Sequence, residues 1–290
     1  MAQSPAHRFG QIIGDVLEHA VEPLLAEFAR NEGLYLDKSG LRPARPGRKV
    51  SWTDAFGNCH DLDFVLECGG TKQRLGTPVA FIETAWRRYT KHSRNKAQEI
   101  QGAILPLREK YSDSAPFIGA VLAGVFTDGA LDQLRSNGFQ IVYFMYETVL
   151  AAFQTVGIDA SCTEETPDAE FRRKISVWKR LSKRRQTQVS ESLVELNMAG
   201  VQQFMGELRL SVTRKIDSVV VLPLHGIPAE WASVQEAIRF VEEYEDGAAD
   251  AKPVVRYEVQ IRYSNKDCVT GQFRSKKDAI EFLKRYVSDC

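Results

Sequence analysis

Two nearly unbroken apolar runs, residues 115–126 and 139–145, restrict the possible folds of this chain more than any other feature. Such runs suit strands buried on both faces of a sheet. Between them, residues 129–137 read as a short helix stopped by Gly138. Strand, helix and strand in that order make a parallel crossover, which puts helices on the faces of the sheet. Upstream, residues 7–32 carry Phe9, Ile12, Ile13, Val16, Leu17, Ala20, Val21, Leu24, Leu25 and Phe28 at helical spacing. This pattern predicts one helix, kinked or divided at Pro23 and stopped at Gly33. Residues 37–48, with Pro43 and Pro46, read as a loop. Strands over 49–54, 59–68 and 78–86 follow, then a helix over 92–111 that Pro106 bends or ends, and a further helix from Tyr146. The fold class is α/β, with a mixed central sheet flanked by helices.

Composition changes after Gly157. Residues 158–168 read as a linker, 169–214 as one or two helices, and the remainder as strands 216–224, 254–264 and 267–274 with helices 230–244 and 275–287. The expected domains are a core over 1–157, a basic helical region over 158–215 and a small α+β domain over 216–290, with no internal repeat. Lys plus Arg and Asp plus Glu both number 38, so net charge points to no partner. No apolar run approaches the roughly 20 residues of a membrane span, and residues 1–8 lack a secretory signal. The cysteines at 59, 68, 162, 268 and 290 have no zinc spacing and read as reduced thiols in a cytoplasmic protein without structural disulfides. No GxGxxG or GxxxxGK[ST] motif appears, which argues against a nucleotide cofactor.

The chemistry is concentrated in two acidic positions. In 61–67, Asp61, Asp63, Val65 and Glu67 share one face of a strand, and Leu62, Phe64 and Leu66 the other. The strand over 78–86 is strongly apolar yet carries Glu83 at its middle, where a charge is costly unless paired or bound to a cation. A hairpin centred near Gln73, between Gly69-Gly70 and Gly76, sets Asp63 opposite Glu83. Like charges so opposed repel, and a divalent ion relieves them. The plainer reading pairs Glu83 with Arg87, Arg88 or a helix N-terminus.

These residues resemble the PD-(D/E)XK nuclease superfamily, which includes many type II restriction endonucleases and junction resolvases. Asp63 matches the acid of its second strand, and Glu83-Thr84-Ala85 matches its acidic-x-Lys tripeptide. The resemblance spans roughly residues 7–156 and implies a restriction-endonuclease-like core. Gly14-x-x-x-Glu18 is similar to a motif of resolvase-like members whose glutamate joins the metal site; Glu18 reads equally as a solvated helix charge. The departure is Ala85, where the family carries lysine. Lys96 is the first candidate replacement and Lys91 the second, Gln98 matches a polar helix residue placed near some sites, and Ala85 also fits an inactivating replacement.

The resemblance implies Mg²⁺-dependent hydrolysis of DNA phosphodiesters, with Mn²⁺ able to substitute. It gives Asp63, Glu83, the Thr84 carbonyl and Glu18 as metal ligands, and Lys96 or Lys91 as the catalytic cation that orients the nucleophile or offsets developing charge. A type II restriction enzyme acting on double-stranded DNA as a homodimer is the expected function. The alternatives are a binding module without cleavage and a repair or junction-resolving nuclease.

Residues 172–185 hold eight cations with Trp178 among them, and suit phosphate contacts through Arg172, Arg173, Lys179, Arg180, Lys183 and Arg184. Ile175, Trp178 and Leu181 are spaced to pack inward. A second basic run contributes Arg87, Arg88, Lys91 and Arg94. His60 reads as a weak outer partner of the site and His92 as a bystander. Tyr257, Gln260, Arg262 and Tyr263 suit a DNA or dimer surface and equally an ordinary amphipathic strand.

Overall fold

The computed structural model describes residues 4–89, 93–224, 226–245 and 254–287. The chain divides into two compact units, Met1–Leu208 and Arg209–Cys290.

The first unit begins with α1 (Pro5–Asn31), whose N-terminus is capped by Ser4 Oγ accepting from the His7 N–H at 3.2 Å. The helix runs through Pro23 undivided. The hydrogen bond that proline removes is outweighed by a buried row from Phe9 to Phe28. Then come β1 (Tyr35–Lys38), β2 (Val50–Thr53), β3 (Cys59–Leu62), β4 (Phe64–Cys68), β5 (Thr77–Arg87), α2 (Ser93–Lys110), β6 (Phe117–Gly124), α3 (Asp128–Ser136), β7 (Gln140–Met145) and α4 (Tyr146–Gln154). The main sheet runs β1-β4-β5-β6-β7. Its β1-β4-β5 part is antiparallel and its β5-β6-β7 part parallel, so the sheet is mixed. β2 and β3 form a separate ribbon. Every residue of β6 is buried, as its apolar run requires.

Side chains on β5 alternate between two helical layers. Phe81 and Ala85 join Ala97, Ile100 and Ile104 of α2 in one apolar cluster. Trp86, on the opposite face, lies beside Gly10 of α1. Outside α1 pack α5 (Asp168–Arg180) and α6 (Lys183–Leu196). Phe9 contacts the Phe153 and Phe171 rings, each at 6.1 Å between centroids. The basic helices therefore belong to the first unit, and residues 158–208 are not the separate region expected from composition. Their apolar faces are too small to stand alone, and α1 supplies the surface that they bury.

β1 falls partly where the sequence reads as loop. Its strand state depends on pairing with β4 and on a buried ionic cluster. Asp37 and Glu67 are buried with Arg42 and Arg45. Arg42 forks onto both Glu67 oxygens and lies 2.9 Å from Asp37 Oδ2; Arg45 Nε and Nη2 donate to Asp37 at 2.9 and 3.1 Å. Arg42 also donates to the Thr71 and Arg74 carbonyls, and Glu67 accepts from the Gly76 N–H at 2.6 Å. The network pins the 39–49 loop to the 69–76 hairpin. A Cβ at Gly76 would overlap the Cys68 carbonyl, so this turn needs glycine. Cys59, Cys162 and Cys268 are free, whereas Cys68 is disulfide-bonded, which corrects the expectation of reduced thiols throughout.

α7 (Met198–Val212) leads into the second unit, made of β8 (Ile216–Pro223), β9 (Ala229–Trp231), α8 (Val234–Glu243), β10 (Tyr257–Tyr263), β11 (Cys268–Phe273) and α9 (Lys276–Lys284). Its sheet order, β11-β10-β8-β9, is that of two ββα copies joined through their first strands. The copies are visible in the sequence, contrary to the expectation of no repeat. Trp231, Ser233, Glu236, Ala237, Ile238, Phe240, Val241 and Tyr244 match Phe273, Ser275, Asp278, Ala279, Ile280, Phe282, Leu283 and Tyr286. The Val220–Gln260 pair lies at the centre, with Val219 and Val221 buried opposite Ile261 and Val259. Each helix starts on its serine: Ser233 Oγ accepts from Glu236 N and Ser275 Oγ from Asp278 N, at 3.2 and 3.1 Å. Replacing Ser275 with alanine is expected to cost about 1 kcal/mol, read as roughly fivefold faster hydrogen exchange across α9 of the intact chain.

Candidate metal-binding carboxylate site

Glu83 sits in the middle of β5 and is 8% exposed. The β4–β5 register runs Phe64 to Ile82, Val65 to Phe81 and Leu66 to Ala80, so its next step sets Asp63 against Glu83. The expected single strand over 59–68 breaks at that residue, because β3 pairs with β2 whereas β4 pairs with β1 and β5. Thr84 thereby loses the acceptor that a continuing strand would offer its N–H. Asp63 Oδ2 takes that place, accepting from Thr84 N and from Thr84 Oγ1, both at 2.7 Å. Thr84 is thus a positioning residue for Asp63, a role the sequence did not suggest.

Burial pushes the Glu83 carboxyl up to about 8, and the adjacent Asp63 charge adds to it. Lys96 on α2 opposes that rise, as does the Asp63 N–H, while Glu18 adds a small further push. Glu18, on α1, is itself raised to about 7 by burial and then by Asp63, Asp15 and Glu22. Asp63 is therefore the charge felt most by both glutamates. Glu18 lies on α1, Glu83 on β5 and Asp63 between β3 and β4, and among the described residues Lys96 is the cation whose charge acts on Glu83.

Neither arginine of the plainer reading pairs with Glu83 among the described residues. Arg87 donates to the Trp86 carbonyl and approaches Glu99 at 3.4 Å. Arg88 donates to the Ala6 carbonyl at 2.9 Å and lies over the Phe171 ring, 4.6 Å from its centroid. Arg88 is thus tied to α1 and α5. The arginine clamp lies instead on Asp37 and Glu67.

Ala85 is buried in the cluster that includes Ala97. Two alanines at this contact let α2 approach β5 closely and bring Lys96, next to Ala97, towards Glu83. Glu99 holds Lys96 at 3.5 Å and Arg87 from the other side; the i,i+3 spacing of Lys96 and Glu99 was the available signal. Gln98 is exposed. Two residues from Lys96 on a helix, it points to another face, which removes it from the site. Lys91 and His92 lie outside the described residues. His60 lies on β3 and faces the β2–β3 turn: set 3.0 Å from Asp54 Oδ2, it holds the Asp54 carboxyl well below the usual range, helped by Asn58 and the Phe56 N–H.

The donor set is all oxygen, which suits a hard cation such as Mg²⁺ or Mn²⁺ and not a soft one. Two glutamates raised by burial and by one shared aspartate are what a site designed around a positive charge produces. Among the described residues, no three or more His, Cys, Asp and Glu side chains converge tightly enough to enclose a metal ion. The chain thus offers part of a shell, which water and phosphate oxygens would complete, as is usual for Mg²⁺.

The basic run breaks between α5 and α6, where Ser182 Oγ accepts from the Arg185 N–H at 3.4 Å. Arg172, Arg173, Lys179, Arg180, Lys183 and Arg184 are exposed, as is Arg94. Lys183 and Arg184 begin α6, where the helix dipole already disfavours cations, so an anion there would relieve both. Lys174 is buried instead, paired with Glu170 and donating to the Ser161 carbonyl. Trp178 packs on Phe153 at 5.5 Å. No helix of the described residues is long and apolar enough to cross a membrane. No family model matches the chain, and no curated protein or solved structure matches it either.

Proposed function

We propose that the first unit is a divalent-metal-dependent DNA endonuclease with a restriction-endonuclease-like core of the PD-(D/E)XK kind. One observation carries this reading: buried Glu83 has no ion-pair partner among the described residues, yet shares its space with Asp63, Glu18 and the single cation Lys96. Asp63, Glu83 and Glu18, with the Thr84 carbonyl, would hold Mg²⁺ or Mn²⁺, which when bound polarises the scissile phosphate and an attacking water. Thr84 fixes Asp63 through two hydrogen bonds, so the acid is set before substrate arrives. Lys96, steadied by Glu99, takes the task of the family's lysine: it orients the water and offsets charge growing on the phosphate. Exposed cations of α5 and α6 would grip the duplex backbone, and a homodimer would supply cuts on both strands.

Incubation of supercoiled plasmid with Mg²⁺ tests the proposal. Discrete fragments indicate a sequence-specific restriction enzyme, and preference for four-way junctions a resolvase. Binding without cleavage indicates a module that holds DNA, the reading favoured by Ala85. We expect Lys96→Ala to slow cleavage by on the order of 10²–10³-fold with thermal unfolding unchanged, and Lys96→Arg to restore part of the rate. Full activity in Lys96→Ala would exclude this lysine from the chemistry.

A further inference from the structure

We infer that the 39–49 loop and the 69–76 hairpin form a second DNA-backbone contact, a cationic track along the outer edge of the sheet. The inference rests on the endonuclease reading, which supplies DNA as the polyanion. Its basis is a separation of charge between inside and outside. Asp37 and Glu67 are buried and fully taken up by Arg42 and Arg45. Outside, Arg48, Lys72 and Arg74 are exposed and pair with no carboxylate among the described residues. Arg74 donates to the Gly69 carbonyl at 2.8 Å, which holds its arm against the hairpin. Lys49 is spent on Asp61 at 2.5 Å.

The backbone places these cations in a row. Gly40 N donates to the Arg48 carbonyl at 2.8 Å, so Arg48 lies beside the start of the loop, just after Lys38. Lys38 pairs with Phe64, the neighbour of Asp63. At the far end, Ala44 N donates to the Lys72 carbonyl at 3.1 Å and joins the loop to the hairpin tip. The length of β4 separates the two ends, roughly 17 Å, or about five base steps of duplex. The loop also shields the free edge of β1, but shielding needs no row of unpaired cations. The buried network makes the loop rigid, so little ordering cost falls on binding.

The test measures binding of the intact chain to a fluorescent duplex of about three helical turns, without divalent metal, over a range of KCl. Arg48→Ala/Lys72→Ala/Arg74→Ala should lower the slope of log affinity against log salt by about 2–3 and weaken binding tenfold or more at moderate salt. All three positions are exposed, so thermal unfolding should not change. An unchanged slope and affinity overturns the inference, as does binding of polyglutamate in place of duplex. Metal-dependent plasmid cleavage with an unchanged slope removes the track and leaves the endonuclease standing. A lowered slope in a protein that cuts nothing with Mg²⁺ or Mn²⁺ does the reverse.

Discussion

Glu83→Gln should abolish metal-dependent cleavage and yet raise the melting temperature of the metal-free protein at pH 8.5. Both effects come from one cause. The Glu83 carboxyl is pushed up to about 8 by burial and by Asp63. Between its ordinary value of 4.5 and that folded value, the unfolded chain has released this proton and the folded protein keeps it. Stability from this group is fully present below pH 4.5 and is lost as pH rises towards 8. A shift of that size corresponds to several kcal/mol. Glutamine cannot ionise, so the variant should gain most at pH 8.5 and almost nothing at pH 4.5. Glu18, raised to about 7, adds in the same direction but is less buried and weighs less. Added Mg²⁺ should stabilise the natural protein at pH 8.5 in proportion to the logarithm of its concentration, and the variant far less. Thermal scans at the two pH values, with and without Mg²⁺, check all of this. A variant less stable at pH 8.5 would mean that Glu83 is satisfied by the fold itself, and the proposed metal site would go with it.

Arg42→Ala should be among the most damaging single substitutions. Glu67 is 0% exposed and would lose the guanidinium that forks onto both its oxygens. Burial alone would lower the Arg42 pKa, but its hydrogen bonds to Glu67 and Asp37 outweigh that and raise it, so the arginine is strongly held. Removing one partner of such a pair costs about 3–5 kcal/mol, because the other charge stays buried. That is a large share of the roughly 5–15 kcal/mol that holds a domain together. The urea midpoint should fall accordingly. Arg42→Met/Glu67→Leu should recover much of the loss, since apolar replacement of a whole buried pair is often neutral. Recovery will be incomplete, because Arg42 also serves Asp37 and the Thr71 and Arg74 carbonyls. A loss under 1 kcal/mol in the single variant would show that water reaches Glu67.

The two apolar runs made β6 and β7 legible, and the spacing about Gln73 gave the register that sets Asp63 against Glu83. Both depend on short-range pattern. β1 escaped because Tyr35–Lys38 has a buried acid in a four-residue strand, and its stability comes from β4 and two loop arginines. Nothing local tells Arg42 and Arg45, set among prolines, from ordinary surface cations. Arg88 is similar: a basic run does not show which member folds back onto an aromatic ring. Lys96 was legible as a candidate, but only the packing of Ala97 on β5 explains how a helix residue reaches a strand acid. The repeat was missed because its copies agree mainly in their helices, and the apolar strand residues Val219, Val221, Val259 and Ile261 are of types too common in strands to draw notice.

That duplication decides how the second unit behaves as a material object. A lone ββα copy owns two strands, which barely persist in water, and half of an apolar row that its twin completes through the β8–β10 seam. Neither copy has a folded state to fall back on when the other opens. The tail of this chain therefore melts in one cooperative step, with its weakest helix setting the lifetime of both.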